Sequence, residues 1–295
     1  MANRLTVRNR QQYVSGVLYA LPAAALVFGL LYYSIGYTAQ VSFWQWNGIS
    51  PTHQAIGLGN YLHLLQDPVF WQCIRNTAEF ALTIPLTLGL GLFFAVAVHS
   101  RLHLRGIIKV IVFIPVVLSP AVMAPVFRGM FAPDGTINNL LTYCGLGGLA
   151  HPWLADPHTS LLALMTVSIW EWTGLSFLLY TAALSGIDQD ILEAARLDGV
   201  GNWRMIGSFV IPLTRGTTAS LLILSLIGLL KTFDIPYLVT SGGPVHSTEF
   251  LGTYLYTQSI TNFKFGYGSA ITIVIILLAL VLAGVQLRGY RAAVS

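Results

Sequence analysis

The sequence predicts an all-α protein that lies in a membrane and crosses it about six times. Of its 295 residues, 55% are hydrophobic and only 9% are charged, and the mean hydropathy is +0.70. A water-soluble domain carries roughly 25% charged residues, so most of this surface is not built to face water. Apolar stretches of about 20 residues, enough to cross the hydrocarbon, recur along the chain. The basic residues are also distributed unevenly between the segments that separate those stretches.

The expected spans are 18–37, 77–98, 107–127, 160–184, 216–236 and 268–287. Lipid cannot bond backbone N–H and C=O groups, so each span is expected to be a helix that satisfies its own. The last carries no charge between Gly268 and Leu287. Residues 18–37 read as a permanent first helix, because no small-residue cleavage site leads from them into a soluble domain. Residues 1–12 form a basic tail, and 13–295 form a single transmembrane domain.

With the N-terminus in the cytoplasm, the outer side and outer span ends carry only Arg75, Arg128, Lys231 and Lys264. The rest of the 15 basic residues fall inside, in the tail, in 101–109, in 196–215 and at 288–291. This asymmetry places both termini and the polar island 188–215 in the cytoplasm. The same scatter excludes a nucleic-acid surface, which needs the cations gathered on one face.

The third span holds Pro115, Pro120 and Pro125. Each internal proline deletes a helical bond and pushes on the preceding turn, so this helix is expected to face protein rather than lipid. In the outer segment 38–72, Trp44, Trp46, Tyr61 and Trp71 suit the interfacial aromatic belt. Cys73 and Cys144 both fall near the outer side, but two cysteines of unknown separation do not predict a disulfide. His99 and His103 lack the intervening glutamate of a metalloprotease helix and read as solvated loop residues. No Gly-x-Ser-x-Gly elbow is present, which removes the usual hydrolase reading.

The polar island is the most informative segment. Asp188 can accept from the free N–H groups that open a short helix, and Gly199 can supply the left-handed residue that closes it. Asn202 can cap a second short helix, and Pro212 falls where the next apolar stretch begins. In order, the island reads Glu193-Ala194-Ala195, three residues, Gly199, nine residues, then Phe209-Val210-Ile211-Pro212. This resembles the EAA loop of ABC-importer permeases, with Phe209 and Ile211 standing where Ile and Leu are usual. An amphipathic linker between two membrane helices is the plainer alternative.

The resemblance to sugar-type (maltose-type) importers extends from about Pro22 to Gln286. It includes Gly57-Leu58-Gly59-Asn60-Tyr61 and Lys231-Thr232-Phe233-Asp234. Thr240-Ser241-Gly242-Gly243-Pro244 follows, with Ser241 where a third glycine is commoner, and then Phe265-Gly266-Tyr267-Gly268. The loop with Gly-Gly-Pro is more like the first of two sister permeases. The resemblance implies the type I importer permease fold and transport of a carbohydrate or polyol across a bacterial or archaeal cytoplasmic membrane. It also implies a sister permease, two cytoplasmic ATPase subunits and an extracytoplasmic solute-binding protein.

Lys109, Lys231 and Lys264 are the only lysines, and none follows a glycine, so no phosphate loop exists in this chain. No cofactor is expected on it; ATP with its Mg would be hydrolysed by the partner. The residues expected to couple to that ATPase are Glu193, Ala194, Ala195, Gly199, Met205, Phe209, Ile211 and Pro212. Met205, Ile206 and Phe209 would form an apolar stripe for docking.

Ionisable groups inside apolar spans cost about 2.5–3.5 kcal/mol at the bilayer centre, so they should face the bundle interior or one another. Glu79, Glu171, Lys231 and Asp234 are such groups. Trp170, Glu171, Trp172, Lys231, Phe233 and Asp234 form the candidate substrate pathway, since a carboxylate accepts from sugar hydroxyls while aromatic rings cover the C–H face. The alternative for Glu171 is a structural contact or a pair with Lys231. Three other functions stay open from sequence. An ion-coupled secondary sugar transporter would show inverted repeats and a chain of buried acids. A membrane transferase would need the acids Asp188, Asp190 and Asp198 for catalysis rather than capping. An importer permease for glycerol phosphate shares these outlines.

Overall fold

The computed structural model describes residues 16–99 and 105–294. The basic tail 1–12, Arg101, His103 and the side chains of Arg288 and Arg291 lie outside the described residues. The chain divides into two compact units, whose described parts are 16–64 with 257–274 and 65–256 with 275–294.

In the first unit, α1 (Gly16–Val41) is wound as a π-helix over Val27–Tyr32, and its large apolar side chains up to Tyr37 are exposed while Val41 at its end is buried. A short antiparallel pair follows, β1 (Trp44–Gln45) and β2 (Gln54–Ala55), then α2 (Gly59–Gln66). The buried Asn60 amide donates to the carbonyls of Ser42 and Trp44 at 2.8 and 2.9 Å, fixing the start of α2 against β1. Gly266 has to be glycine, because a Cβ there would lie 1.8 Å from the Trp44 carbonyl oxygen.

Trp44 and Trp46, expected in the aromatic belt, also have partners within the hairpin. Trp44 stacks on His53 at 3.8 Å, and the Trp46 indole donates to the Ser50 carbonyl at 2.8 Å. His53 and Ser50 both belong to the connection between the strands, so both rings pack on the hairpin.

The second unit begins with α3 (Pro68–His99), capped by Asp67, whose Oδ1 accepts from the Val69 N–H at 2.9 Å. It starts well before the expected 77–98, because its polar residues find partners along the helix. Arg75 pairs with Glu79 at 2.7 Å on the surface, and Gln72 donates to Asn76 at 2.8 Å. Next come α4 (Arg105–Val117), α5 (Pro120–Met130), α6 (Thr136–Tyr143) and α7 (Ser160–Ser185). Then follow α8 (Gln189–Leu197), α9 (Asn202–Leu213) and α10 (Arg215–Leu230). After them lie α11 (Asp234–Thr240), α12 (Leu251–Tyr256) and the long α13 (Phe265–Val294).

Among the described residues, α1, α3, α7 and Phe265–Gln286 of α13 are long and apolar enough to cross a membrane unbroken. Two bent pairs, α4 with α5 and α9 with α10, raise the number to 6. The protein is therefore a multi-pass helical membrane protein, as the sequence predicts.

Two spans differ from their expected form. The third is two helices bent by 107°. Ser119 is extended (φ −75°, ψ 147°), the conformation that a following proline enforces, and Pro120 occupies the first turn of α5. Of α4, only Pro115 is buried, so the prolines break this span without enclosing it in the chain. The fifth ends early: α10 stops at Leu230, residues 231–233 are unwound, and α11 begins at Asp234.

Small residues set the packing around α7. A Cβ on Gly91 would lie 2.4 Å from Ser176 Cβ, and one on Gly174 would lie 2.7 Å from the Val112 carbonyl oxygen. In lipid, where helices gain nothing by hiding apolar surface from water, such close approach and its dispersion hold them together. One core joins Phe80, Leu164, Val167, Ile235 and Phe250; another joins Leu88, Phe177, Tyr180, Leu184 and Leu221. Tyr180 and Thr218 share a hydroxyl bond of 2.9 Å between α7 and α10.

Two polar knots fasten the connections. Asn138 of α6 accepts from the His151 N–H and the Trp153 indole, while its amide donates to the Pro133 and His151 carbonyls. In the loop after α11, the Asn76 amide donates to the carbonyls of His246 and Glu249, and Ser160 bonds Ser247. Cys73 is buried, Cys144 is exposed, and both are free thiols.

Candidate functional site

The elbow 188–215 forms from local rules. Asp188 Oδ1 accepts from the Asp190 N–H at 3.1 Å and opens α8. Gly199 closes it at φ +78°, and the Val200 N–H returns to the Ala195 carbonyl at 3.1 Å. The expected cap at Asn202 is not formed. Gly201 takes the capping position with its backbone, and Asn202 is the first helical residue. Gly201 is the extended residue (φ −67°, ψ 159°), so helical backbone has already begun at Asn202. Pro212 lies in the last turn of α9, and the chain then bends by 67° at Thr214 into α10.

The elbow has its own small core. Leu192, Ala195 and Met205 are buried, with Ile187, Val200 and Phe209 packed on them. Of the expected docking residues, Ala195, Met205 and Phe209 therefore point inward, while Glu193, Ala194, Ile211 and Pro212 are exposed. Leu192 and Ala195 share one side of α8 at i, i+3 spacing, and this side finds Met205 across the turn.

Sequence reasoning missed the residues that stand furthest out. Leu197 is 89% exposed and Trp203 is 85% exposed. Their signal was present: two large apolar side chains in a polar island, both outside the Leu192–Ala195 register. Glu193 and Ala194 are exposed one turn before Leu197 on α8, so α8 turns both an acid and an apolar group outward, and Trp203 is exposed on α9.

The second region is a cavity of about 390 Å³ where α10 breaks. Glu171 and Trp172 enter it from α7, and Lys231, Phe233 and Asp234 enter from the unwound segment and the start of α11. Five of the six expected pathway residues thus meet in one place. Trp170 does not line it; its ring meets Phe127 edge-on at 5.3 Å. Residues two apart on a helix point to nearly opposite sides, so Trp170 and Trp172 could not share the cavity.

No ion pair joins Lys231 to Glu171 or Asp234 among the described residues. Hydroxyls complete the lining. Thr83 and Thr87 donate to carbonyls of their own helix and Thr232 to the Gly228 carbonyl of α10, which leaves their oxygens able to accept. Ser168 lies three residues before Glu171 and also lines the wall, a spacing that sequence alone could have revealed. Phe233 stacks on Tyr237 at 5.0 Å and packs on Tyr256 at 5.5 Å, so the unwound segment is held by rings. Gly252 allows α12 to approach it: a Cβ there would lie 2.9 Å from the Thr232 carbonyl oxygen.

A broken helix at a polar cavity, joined through α10 to a helical elbow, is an arrangement suited to moving a solute. Residues 87–290 match the model of a family described as the binding-protein-dependent transport system inner membrane component. The chain belongs to this family.

The permease is 33% identical over 286 residues to the probable ABC transporter permease protein YurN of Bacillus subtilis, covering 95% of this chain and 97% of that one. It is also 33% identical over 283 residues to the lactose transport system permease protein LacF of Rhizobium radiobacter, covering 94% of each. In fold it is similar to a crystal structure of a bacterial ABC transporter involved in the import of the acidic polysaccharide alginate. That likeness has a TM-score of 0.83 at 23% identity and covers 98% of this chain and 99% of that one. The permease is a transport subunit and not an enzyme, and ATP is hydrolysed by the ATPase of such systems. The ion-coupled and transferase alternatives are not favoured.

Proposed function

We propose that this permease is one membrane half of an ABC importer for carbohydrate, in a bacterial or archaeal cytoplasmic membrane. It works beside a sister permease, on two cytoplasmic ATPase subunits, and receives its solute from an extracytoplasmic binding protein. Both termini and the elbow lie on the cytoplasmic side, following the basic residues. The whole of 13–295 acts as the transmembrane domain, with the apolar surface of α1 facing lipid.

One observation carries the reading: acids, hydroxyls and aromatic rings converge at the broken end of the same helix that the elbow leads into. Glu171 and Asp234 accept from sugar hydroxyls, and Trp172 and Phe233 cover the apolar C–H faces. The name of LacF supports a saccharide as the solute. A broken helix beside a binding cavity is a place where a small rearrangement opens one side or the other. The elbow docks through Glu193, Ala194, Leu197 and Trp203 on the ATPase. Gly199, Ile211 and Pro212 set its shape, and its core of Ala195, Met205 and Phe209 makes it rigid enough to pass rotation to α10.

Uptake by proteoliposomes that hold the whole importer tests the reading. ATP-dependent accumulation of a saccharide should be lost in Trp172→Ala while ATPase recruitment persists. Accumulation that continues without ATP, driven by an ion gradient, would contradict it.

A further inference from the structure

The charges around the cavity narrow the solute beyond "carbohydrate". Among the described residues, two carboxylates line it, Glu171 and Asp234, against the single ammonium of Lys231, and no arginine or histidine does. The guanidinium of Arg128 is engaged elsewhere, donating to the Leu238 carbonyl. Both carboxylates line the same cavity, and among the described residues Lys231 forms an ion pair with neither. Asp234 and Lys231 are exposed to the cavity, while Glu171 is partly buried in its wall. The wall contributed by this chain is therefore net acidic.

We propose that this cavity accepts uncharged sugars and rejects those bearing carboxylate, sulfonate or phosphate groups, with Glu171 and Asp234 as the residues that discriminate. The inference rests on the carbohydrate reading above. A neutral sugar presents hydroxyl donors to the two carboxylates, giving charge-assisted hydrogen bonds with no net charge brought in. An anionic sugar brings a like charge beside both, and Lys231 can offset only one. Apolar walls focus the field of the carboxylates in a cleft, so this repulsion is screened less than it would be on an open surface. Rejection by misplaced like charge is a common source of specificity. It argues against glycerol phosphate as the solute.

The test uses the purified complex of both permeases and both ATPases, without the soluble binding protein, so that the cavity alone selects. Binding of lactose, maltose and trehalose is compared with that of lactobionate, maltobionate and digalacturonate by tryptophan fluorescence, with Trp172→Phe as the control. At least one neutral disaccharide should saturate the signal, and the acids should bind at least tenfold more weakly. Glu171→Gln and Asp234→Asn, which keep side-chain shape, should each reduce the discrimination about tenfold, or about 1.4 kcal/mol. Acids that bind the unaltered complex as tightly as neutral sugars would overturn the inference and leave the carbohydrate reading standing. So would carboxamide variants with unchanged discrimination. Failure of every sugar to bind, with no ATP-driven uptake of any by the complete importer, would overturn the carbohydrate reading and the inference with it.

Discussion

The indole of Trp172 lies against Gly228, where a Cβ would sit 3.3 Å from the ring's Cη2. α7 and α10 meet there, and the absent side chain lets the ring lie flat on the cavity wall. Gly228→Val should push the indole into the space a sugar needs, an overpacking of about 1–3 kcal/mol. Saccharide uptake by the whole importer is expected to fall about tenfold, with the ATPase subunits still bound. Unchanged uptake would mean that the ring does not border the path.

The elbow gives a second prediction. Trp203 and Leu197 stand outside its core, so their loss should not disturb its fold. Alanine at Trp203 should weaken capture of the ATPase by about 2 kcal/mol or more, the loss typical of a buried aromatic anchor at an interface. Alanine at both positions should abolish co-purification. Glu193→Lys should leave insertion intact but uncouple ATP hydrolysis from uptake. Gly199→Pro should do the same by breaking the elbow, because proline cannot adopt the φ of +78° found there. Normal accumulation in both of these variants would count against the docking face.

The loop after α11 contains a third. Ser241 has φ +53°, a left-handed conformation that costs a side-chain-bearing residue about 1–2 kcal/mol. Ser241→Gly should therefore stabilise the permease by about 1 kcal/mol, read as a higher melting temperature in detergent. Neighbouring Gly242 (φ +81°) is the reverse case. A Cβ there would lie 2.4 Å from Glu249 Oε2, so Gly242→Ala should lower that temperature.

Acid should loosen the loop between α6 and α7. Asp156 accepts from the His158 N–H at 2.8 Å and pairs with His151 at 2.7 Å. These contacts, the His158 N–H foremost, hold its carboxyl below the usual aspartate range. A carboxyl that ionises more readily when folded contributes fully above its unfolded pKa, and the contribution fades as pH falls through the lower, folded value. Protease cleavage within 144–159 should rise below about pH 4, near the ordinary aspartate value. In Asp156→Asn it should already be high at pH 6 and change little with acid. A cleavage rate independent of pH in the unaltered chain would contradict this.

Much of this was legible in the sequence because the rules involved are local or one-dimensional. Hydrophobic length marked where the long apolar helices lie, though two of the expected spans are broken; Asp188 and Gly199 marked the ends of α8, and the convergence of Glu171 with Lys231 and Asp234 followed from the cost of charge in lipid. Three-dimensional competition hid the rest. Met205 and Phe209 looked like docking residues, yet the elbow needed them as its own core. Trp170 seemed to flank the site, but helical geometry turned it toward Phe127. Prolines in the third span signalled a break without stating its angle, and nothing near Lys231 announced that α10 would stop there. Nothing in the sequence pattern announced that Trp44 and Trp46 would also find partners in the hairpin 44–55.

Site-directed cross-linking tests the central claim most directly. Ala194→Cys, in a chain whose Cys73 and Cys144 have been replaced by serine, places one thiol on the exposed side of α8. In the assembled importer it should cross-link to the ATPase subunit, with a yield that changes when nucleotide binds, and membrane-impermeant maleimide should not reach it from outside intact cells. Labelling from outside, with no ATPase cross-link, would contradict the account.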